Sequence, residues 1–188
     1  MSSQKPGNIF AIGRFASPIG AIFVASCRGG LKEICVGVRK AEFVAEIKRK
    51  YGARIVEKKG GFARLFKLLN SYFKGKKVSF DLWLDPEGTE FEIKVWAALS
   101  RIPYGETKTY SDVAREIGSN NGARAVGGAC GKNPLPIIVP CHRVVGTNGL
   151  GGYSAGGVET KVTPFYKGGL GGIKEFLLRL EGAPAPLS

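Results

Sequence analysis

Histidine is all but missing from this sequence: 188 residues contain one, His142. Acid is scarce as well, with 15 Asp and Glu against 28 Lys and Arg and a net charge of +13. No apolar run approaches the roughly 20 residues of a membrane-spanning helix, so no such helix and no membrane partner are expected. The opening MSSQKPGNIFAIGRF has no long apolar stretch after its one lysine, unlike a signal peptide, which points to a cytoplasmic protein, or a nuclear one in a eukaryote. The four cysteines, Cys27, Cys35, Cys130 and Cys141, form no CxxC pair and no zinc-ligand spacing. Cys27 and Cys35 flank a turn but do not fall opposite each other under simple pairing; they read as small core residues, with a disulfide between them as the alternative.

What is abundant is positive charge, and it is unevenly placed. Up to Glu87 there are 17 basic and 7 acidic residues; from Gly88 onward there are 11 and 8. An excess of this size fits a polyanionic partner such as nucleic acid, or the solvated surface of a heat-adapted protein. Apolar residues make up 44% of the chain, enough for one large domain or two small ones to bury a core.

IGAIFVASCRGGLKEICVGV reads as a hairpin around a glycine turn. KAEFVAEIKRKYG and GFARLFKLLNSYFKG read as amphipathic helices, the second with Phe62, Leu65, Phe66, Leu69 and Phe73 on one face and Gly75 as its stop. KKVSFDLWL alternates like a strand. Residues 1–87 therefore form a small α/β domain, with the boundary near LDPEG. Residues 88–188 are mainly helical. Thr89 and Glu92 have capping-box spacing before FEIKVWAALSRI, whose Phe91, Val95, Ala98, Leu99 and Ile102 share a face. Thr109 and Asp112 open YSDVAREI, Gly118 ends it, and GARAVGGACGKN follows, the outline of a helix-turn-helix. A last helix, GIKEFLLRLEG, buries Ile173, Phe176, Leu177 and Leu180.

Two stretches call for chemistry. Between Gly122 and Gly131 nearly every residue is Gly or Ala, although glycine costs about 1 kcal/mol per helical position. Either the helix packs closely inside the domain, or its surface must approach something large, such as a nucleic-acid groove, with Arg124 projecting from it. In NPLPIIVPCHRVVGTNG the only histidine follows Cys141. A thiol is a strong nucleophile only as thiolate, which needs a base or a positive charge nearby. On an extended segment the two side chains point to opposite faces, so a bridging water between them is expected. Glu181 ends a helix where an acid opposes the macrodipole, and that calls for a partner. For a Cys-His dipeptide taken by itself, a packed Cys beside a structural His is the commoner arrangement. A papain-like peptidase would place its cysteine at a helix start and its histidine far away in sequence, and neither holds here.

GARAVGGACGKNPLPIIVPCHRVV followed by GGYSAGG closely resembles the O6-alkylguanine-DNA alkyltransferases, from Thr89 to Gly157 and again over GIKEFLLRLEG. The resemblance implies that Cys141 accepts the alkyl group, that His142 deprotonates it through a water, and that Glu181 orients His142. It further implies that Asn133 hydrogen-bonds near the cysteine and that Tyr110 helps rotate the nucleotide and protonates the leaving guanine. Arg124 would enter the duplex where the base was, with Ala123, Ala125 and Gly127 forming the smooth surface beside it. Tyr153 and Ser154 would wall the guanine pocket. The implied partner is double-stranded DNA carrying O6-alkylguanine, approached from the minor groove with the nucleotide flipped, at a cost of a few kcal/mol. The implied product is a thioether that water cannot cleave, so each molecule acts once, as a monomer and with no metal or cofactor. AGGVETKVTPFYKGGLGGI, with Lys161 and Lys167, is longer than the family's usual link. A related class binds alkylated guanine without repairing it because the cysteine is replaced; here Cys141 is present. The alternative is a helix-turn-helix protein that binds DNA and transfers nothing.

Overall fold

The structure, a computed structural model, describes residues 9–57, 60–152 and 169–183. The hairpin is present as β2 (Gly20–Cys27) and β3 (Gly30–Val36), paired antiparallel. It belongs to a larger sheet than the sequence reading contained. β1 (Ile9–Ser17) pairs antiparallel with β2, and β4 (Arg54–Glu57) runs parallel to β1, giving the order β3-β2-β1-β4. β1 runs unbroken through Gly13, where a Cβ would lie 2.5 Å from the Phe62 ring, so glycine is what allows that close approach. β4 has four residues, too few to show a period of two. KKVSFDLWL departs from expectation in the other direction. It keeps its alternation, with Ser79, Asp81 and Trp83 outward, but only Leu84 makes a bridge, to Leu31.

α1 (Lys40–Tyr51) covers one face of the sheet, packing Phe43 and Ile47 against Phe10, Ile12, Phe23 and Cys35. The other face carries Ile22, Val24, Leu31, Ile34 and Val36. These continue through α2 (Ala63–Tyr72) into the helices of the C-terminal half as one core. On α2, Phe62, Leu65 and Leu69 are buried as expected, but Tyr72 is the innermost residue of the last turn while Phe66 and Phe73 are half-buried. None of the four cysteines is in a disulfide; Cys35 lies opposite Phe23, and Cys27 opposite Gly30.

The C-terminal half holds α3 (Glu90–Leu99), α4 (Tyr110–Glu116), α5 (Ala123–Gly131) and α6 (Gly169–Leu180). This is the expected class, an α/β N-terminal part followed by a mainly helical part with a helix-turn-helix, α4 and α5. Both capping boxes form at the spacing read from the sequence. Thr89 N–H donates to Glu92 at 2.8 Å, and Thr109 N–H to Asp112 at 2.9 Å. A buried bond from Trp96 Nε1 to the Ala129 carbonyl, 2.9 Å, locks α3 to α5. A two-residue parallel ladder of β5 (Lys108–Thr109) with β6 (Val144–Val145) sets the start of α4 beside the chain that leaves Cys141. No helix among the described residues is long and apolar enough to cross a membrane.

Candidate active site

Asn133 begins the loop that delivers the cysteine. Its side-chain amide donates to Val139 O at 2.8 Å and to Cys141 Sγ at 3.1 Å, while its Oδ1 accepts from Leu135 N–H at 3.0 Å. Ile137, buried in this loop, has φ of +76°, a region costly for a β-branched residue. The loop is held there from outside as well, by Ile34 N–H of edge strand β3 donating to Pro134 O at 2.7 Å. Pro140, with φ −82° and ψ 65°, makes an inverse γ-turn, closed by Cys141 N–H to Val139 O at 2.8 Å. Cys141–Arg143 then form one turn of 3₁₀ helix. This corrects the extended segment expected at Cys-His: proline and the γ-turn bend the chain into a helical turn just before the cysteine.

In that turn Cys141 and His142 face different partners. His142 is fully buried, and its Nε2 lies 2.8 Å from Glu181 Oε1. A carboxylate only accepts, so Nε2 carries the proton and Nδ1 holds the lone pair. Nδ1 is the one buried side-chain nitrogen or oxygen without a partner among the described residues. Burial holds the imidazole below its ordinary pKa, against the pull of Glu181, so it is neutral near pH 7. Glu181 is itself crowded with donors. Oε1 accepts from Tyr72 at 2.6 Å and Arg143 Nη2 at 3.0 Å; Oε2 accepts from Arg143 Nε at 2.8 Å and Gly105 N–H at 3.2 Å. Burial opposes its ionisation, but bonds from His142 and Arg143 outweigh this and hold it well below the usual carboxylate range. Arg143 also donates to Ile102 O at 2.6 Å and lies over the Tyr104 ring.

Four residues of this site were not singled out from the sequence: Tyr72, Arg143, Lys174 and Cys130. Lys174 is fully buried, its ammonium donating to Val144 O at 2.6 Å and Gly152 O at 3.1 Å and sitting 5.7 Å from the Tyr110 ring centre. Burial draws its pKa down to about 8, while charge on Cys141 and Cys130 pulls it back up. A signal for it existed: positions 174, 177, 178 and 181 have helical spacing and share one face, so a lysine stands in line with Leu177, Leu178 and Glu181. Burial pushes the Cys141 thiol up, and the Asn133 bond, the Lys174 charge and two backbone N–H groups draw it down.

Cys141 forms the floor of a 460 Å³ pocket lined by Tyr110, Ala123, Arg124, Gly127, Cys130, Gly131 and Gly152. Tyr110, the first residue of α4, donates to Gly152 O at 3.3 Å, and burial raises its phenol to about 12. Arg124 is exposed at the rim; Ala125, on the exposed face of α5, does not line the pocket. The structure thus brings Cys141, His142, Glu181, Asn133, Tyr110, Ala123, Arg124 and Gly127 to one place. Tyr153, Ser154, Lys161 and Lys167 lie outside the described residues. Among the described residues no group of three His, Cys, Asp or Glu is placed to hold a metal. A second cleft, 380 Å³, is lined by Glu33, Glu46, Lys50, Glu92 and Lys132, which pair with basic or acidic neighbours and set no nucleophile beside a base.

Fold and site together define a class: a two-part chain whose helix-turn-helix half carries a buried thiol, followed in the chain by a buried histidine, beside a helix of small residues. The chain belongs to the 6-O-methylguanine DNA methyltransferase family, matching its DNA-binding domain over residues 90–183 and its ribonuclease-like domain over residues 12–86. It is 45% identical over 170 residues to a methylated-DNA–protein-cysteine methyltransferase of Methanosarcina acetivorans, covering 90% of this chain and 96% of the relative. A protein of the same name from Mycobacterium bovis is 43% identical over 146 residues, covering 77% and 84%. The crystal structure of Mycobacterium tuberculosis OGT in complex with DNA superposes with a TM-score of 0.69 at 36% identity, covering 95% of this chain and 96% of that one.

Proposed function

We propose that this protein repairs DNA by moving an alkyl group from guanine O6 in double-stranded DNA onto Cys141, irreversibly and once per molecule. The observation that carries the reading is the bond from Asn133 to Cys141, with His142 next in the chain and buried against Glu181, where Cys141 itself lines a pocket bordered by α5. The target guanine leaves the stack and enters this pocket from the minor-groove side, with α5 against the groove and Arg124 filling the vacated space. The Cys141 proton passes to His142 Nδ1 through a water, and Glu181 steadies the imidazolium. The thiolate then attacks the alkyl carbon in line; the S–C bond forms as the C–O6 bond breaks. Tyr110, kept protonated by its raised pKa, donates to the leaving guanine and recovers its proton through solvent. Lys174 offsets the thiolate charge in a buried site, where that charge is poorly screened. The thioether has no activated leaving group, so nothing regenerates the thiol.

On this reading residues 88–188 are the DNA-binding and acceptor domain, and residues 1–87 support it. One duplex needs one pocket, so a monomer suffices. The direct test is Cys141→Ser with duplex carrying one O6-methylguanine, followed by mass spectrometry of the digested protein. The wild-type protein is expected to gain one methyl on the Cys141 peptide, saturating at one per molecule. The variant is expected to bind duplex with similar affinity and transfer nothing. Persistent transfer in Cys141→Ser would refute the acceptor assignment, and a wild-type protein that binds without becoming methylated would be a binding module instead.

A further inference from the structure

Tyr72 closes α2, in the half of the chain that carries neither the helix-turn-helix nor the thiol. It is nonetheless fully buried, with its hydroxyl 2.6 Å from Glu181 Oε1, the same oxygen that accepts from His142 Nε2 at 2.8 Å. The hydroxyl lies 3.5 Å from Nε2 itself, too far for a directed bond, so its influence on the imidazole passes through the carboxylate. The phenol ring is fixed by Phe73, Phe80 and Tyr104, with ring centres 5.3, 5.8 and 6.1 Å away. Filling that space needs only a phenyl ring. The hydroxyl adds a charge-assisted bond to the acid that orients the only histidine.

We propose that Tyr72 is a positioning residue for alkyl transfer: by holding Glu181 Oε1, it sets the orientation and protonation state of His142 from the neighbouring half of the chain. Two effects follow from one bond. The carboxylate is held against Nε2, so the proton stays there and Nδ1, which has no partner among the described residues, stays open to accept one. The carboxylate also shares its charge with a second donor and draws less strongly on the imidazolium. Without Tyr72, Glu181 would favour protonated His142, and a protonated His142 cannot take the proton of Cys141. The charged and titratable groups around the imidazole are Glu181 at the end of α6, Arg143 in its own turn, Lys174 on α6, Tyr72 on α2 and the Cys141 thiol. Arg143 and Lys174 disfavour the imidazolium and Glu181 favours it, so weakening the restraint on Glu181 tips the balance in one direction. This inference rests on the reading that His142 serves Cys141.

The single histidine makes the test direct. In ¹⁵N-edited NMR one imidazole gives one pair of ring nitrogen signals, which report tautomer and titration without any transfer taking place. In the wild-type protein the Nε2–H tautomer is expected. In Tyr72→Phe the titration midpoint is expected to move upward. Single-turnover transfer from free O6-benzylguanine, measured below that midpoint, is expected to slow by about 10-fold, the scale of one charge-assisted hydrogen bond. The final stoichiometry should stay at one alkyl group per protein. Phe80→Leu loosens the same ring cluster but keeps the hydroxyl, and should leave both readouts in place. An Nδ1–H tautomer in the wild-type protein would overturn the proposal, whatever the variants do. So would an unchanged midpoint and rate in Tyr72→Phe, or an equal shift in Phe80→Leu. A wild-type protein that transferred nothing would instead overturn the alkyl-transfer reading, while the NMR comparison would still decide whether Tyr72 governs His142.

Discussion

At the scale of single residues, Lys174 is the least expected feature of the site, because a buried ammonium is costly without a counter-charge. Its neighbours explain why it stays. Arg143 and Glu181 neutralise each other at 2.8 Å, which leaves Lys174, among the described residues, with carbonyl partners and no carboxylate of its own. The buried set carries one excess positive charge until Cys141 ionises, and then it balances. The Lys174 charge favours the Cys141 thiolate, and at an effective dielectric of about 20 such a pair is worth a few kcal/mol. Lys174→Met keeps most of the volume and removes the charge. It is therefore expected to slow transfer about 10- to 100-fold in stopped-flow single turnovers at neutral pH, with duplex affinity little changed. An unchanged rate would reduce Lys174 to a packing and hydrogen-bonding residue. Much of the site was legible one residue at a time, since Cys141, His142, Asn133 and Glu181 all follow from the sequence. Tyr72 was not, because the face read on α2 ran through Phe62, Leu65, Phe66, Leu69 and Phe73, and the last turn instead buries Tyr72. The bond to Glu181, on the other half of the chain, is what holds it there.

At the scale of elements, α5 settles a question that its composition raised. Close packing inside the domain would explain its glycines, but it does not apply to the outer ones. A Cβ at Gly128 would meet nothing within 4 Å, and one at Gly127 would make only ordinary contact with Tyr110, at 3.8 Å. Val126, Ala129 and Cys130 form the buried side, while Arg124, Ala125 and Gly128 are exposed. The bareness of that face is not demanded by the protein's own core, which favours a surface kept low for something that presses against it. Gly128→Ala separates the two demands. It should raise stability by roughly 0.5–1 kcal/mol, seen as a Tm a few degrees higher, because alanine is the better helix former. It should also slow repair of duplex DNA while leaving reaction with free O6-benzylguanine as it was. Equal rates on both substrates would mean that α5 does not lie against the duplex. Elements with caps were legible in advance: Thr89–Glu92 and Thr109–Asp112 mark helix starts by hydrogen bonds local to the chain. β1 and β4 were not, since the sequence of one has a glycine, set against Phe62, in the middle of its alternation and the other pairs only with β1.

At the scale of the whole molecule, the two halves are one machine with two connections to the chemistry. Strand β3 steadies the strained loop through Pro134, and α2 steadies the acid through Tyr72. The shared core from Ile22 and Val24 to Leu135 and Leu177 makes those connections rigid. Folding and the readiness of the base are therefore linked, and acid exposes the link. In the folded protein burial holds His142 below 6.5, the value the same residue takes when unfolded. Between those two values the unfolded chain binds a proton that the folded chain refuses. Stability then falls as pH falls, by at most about 1.4 kcal/mol per pH unit for this one group. Glu181 adds its own loss at lower pH: its folded pKa is depressed, so the stabilisation it gives is present above about 4.5 and fades as pH drops below that. Thermal melts between pH 8 and pH 5 are expected to show Tm steady at the upper end and declining once pH passes through about 6.5. The chain has no other histidine, so His142→Asn should flatten that first decline and leave the carboxylate-driven fall below it. A decline of the same size in His142→Asn would mean that the imidazole is not held neutral by the fold, and the same result would remove the neutral base on which the transfer chemistry depends.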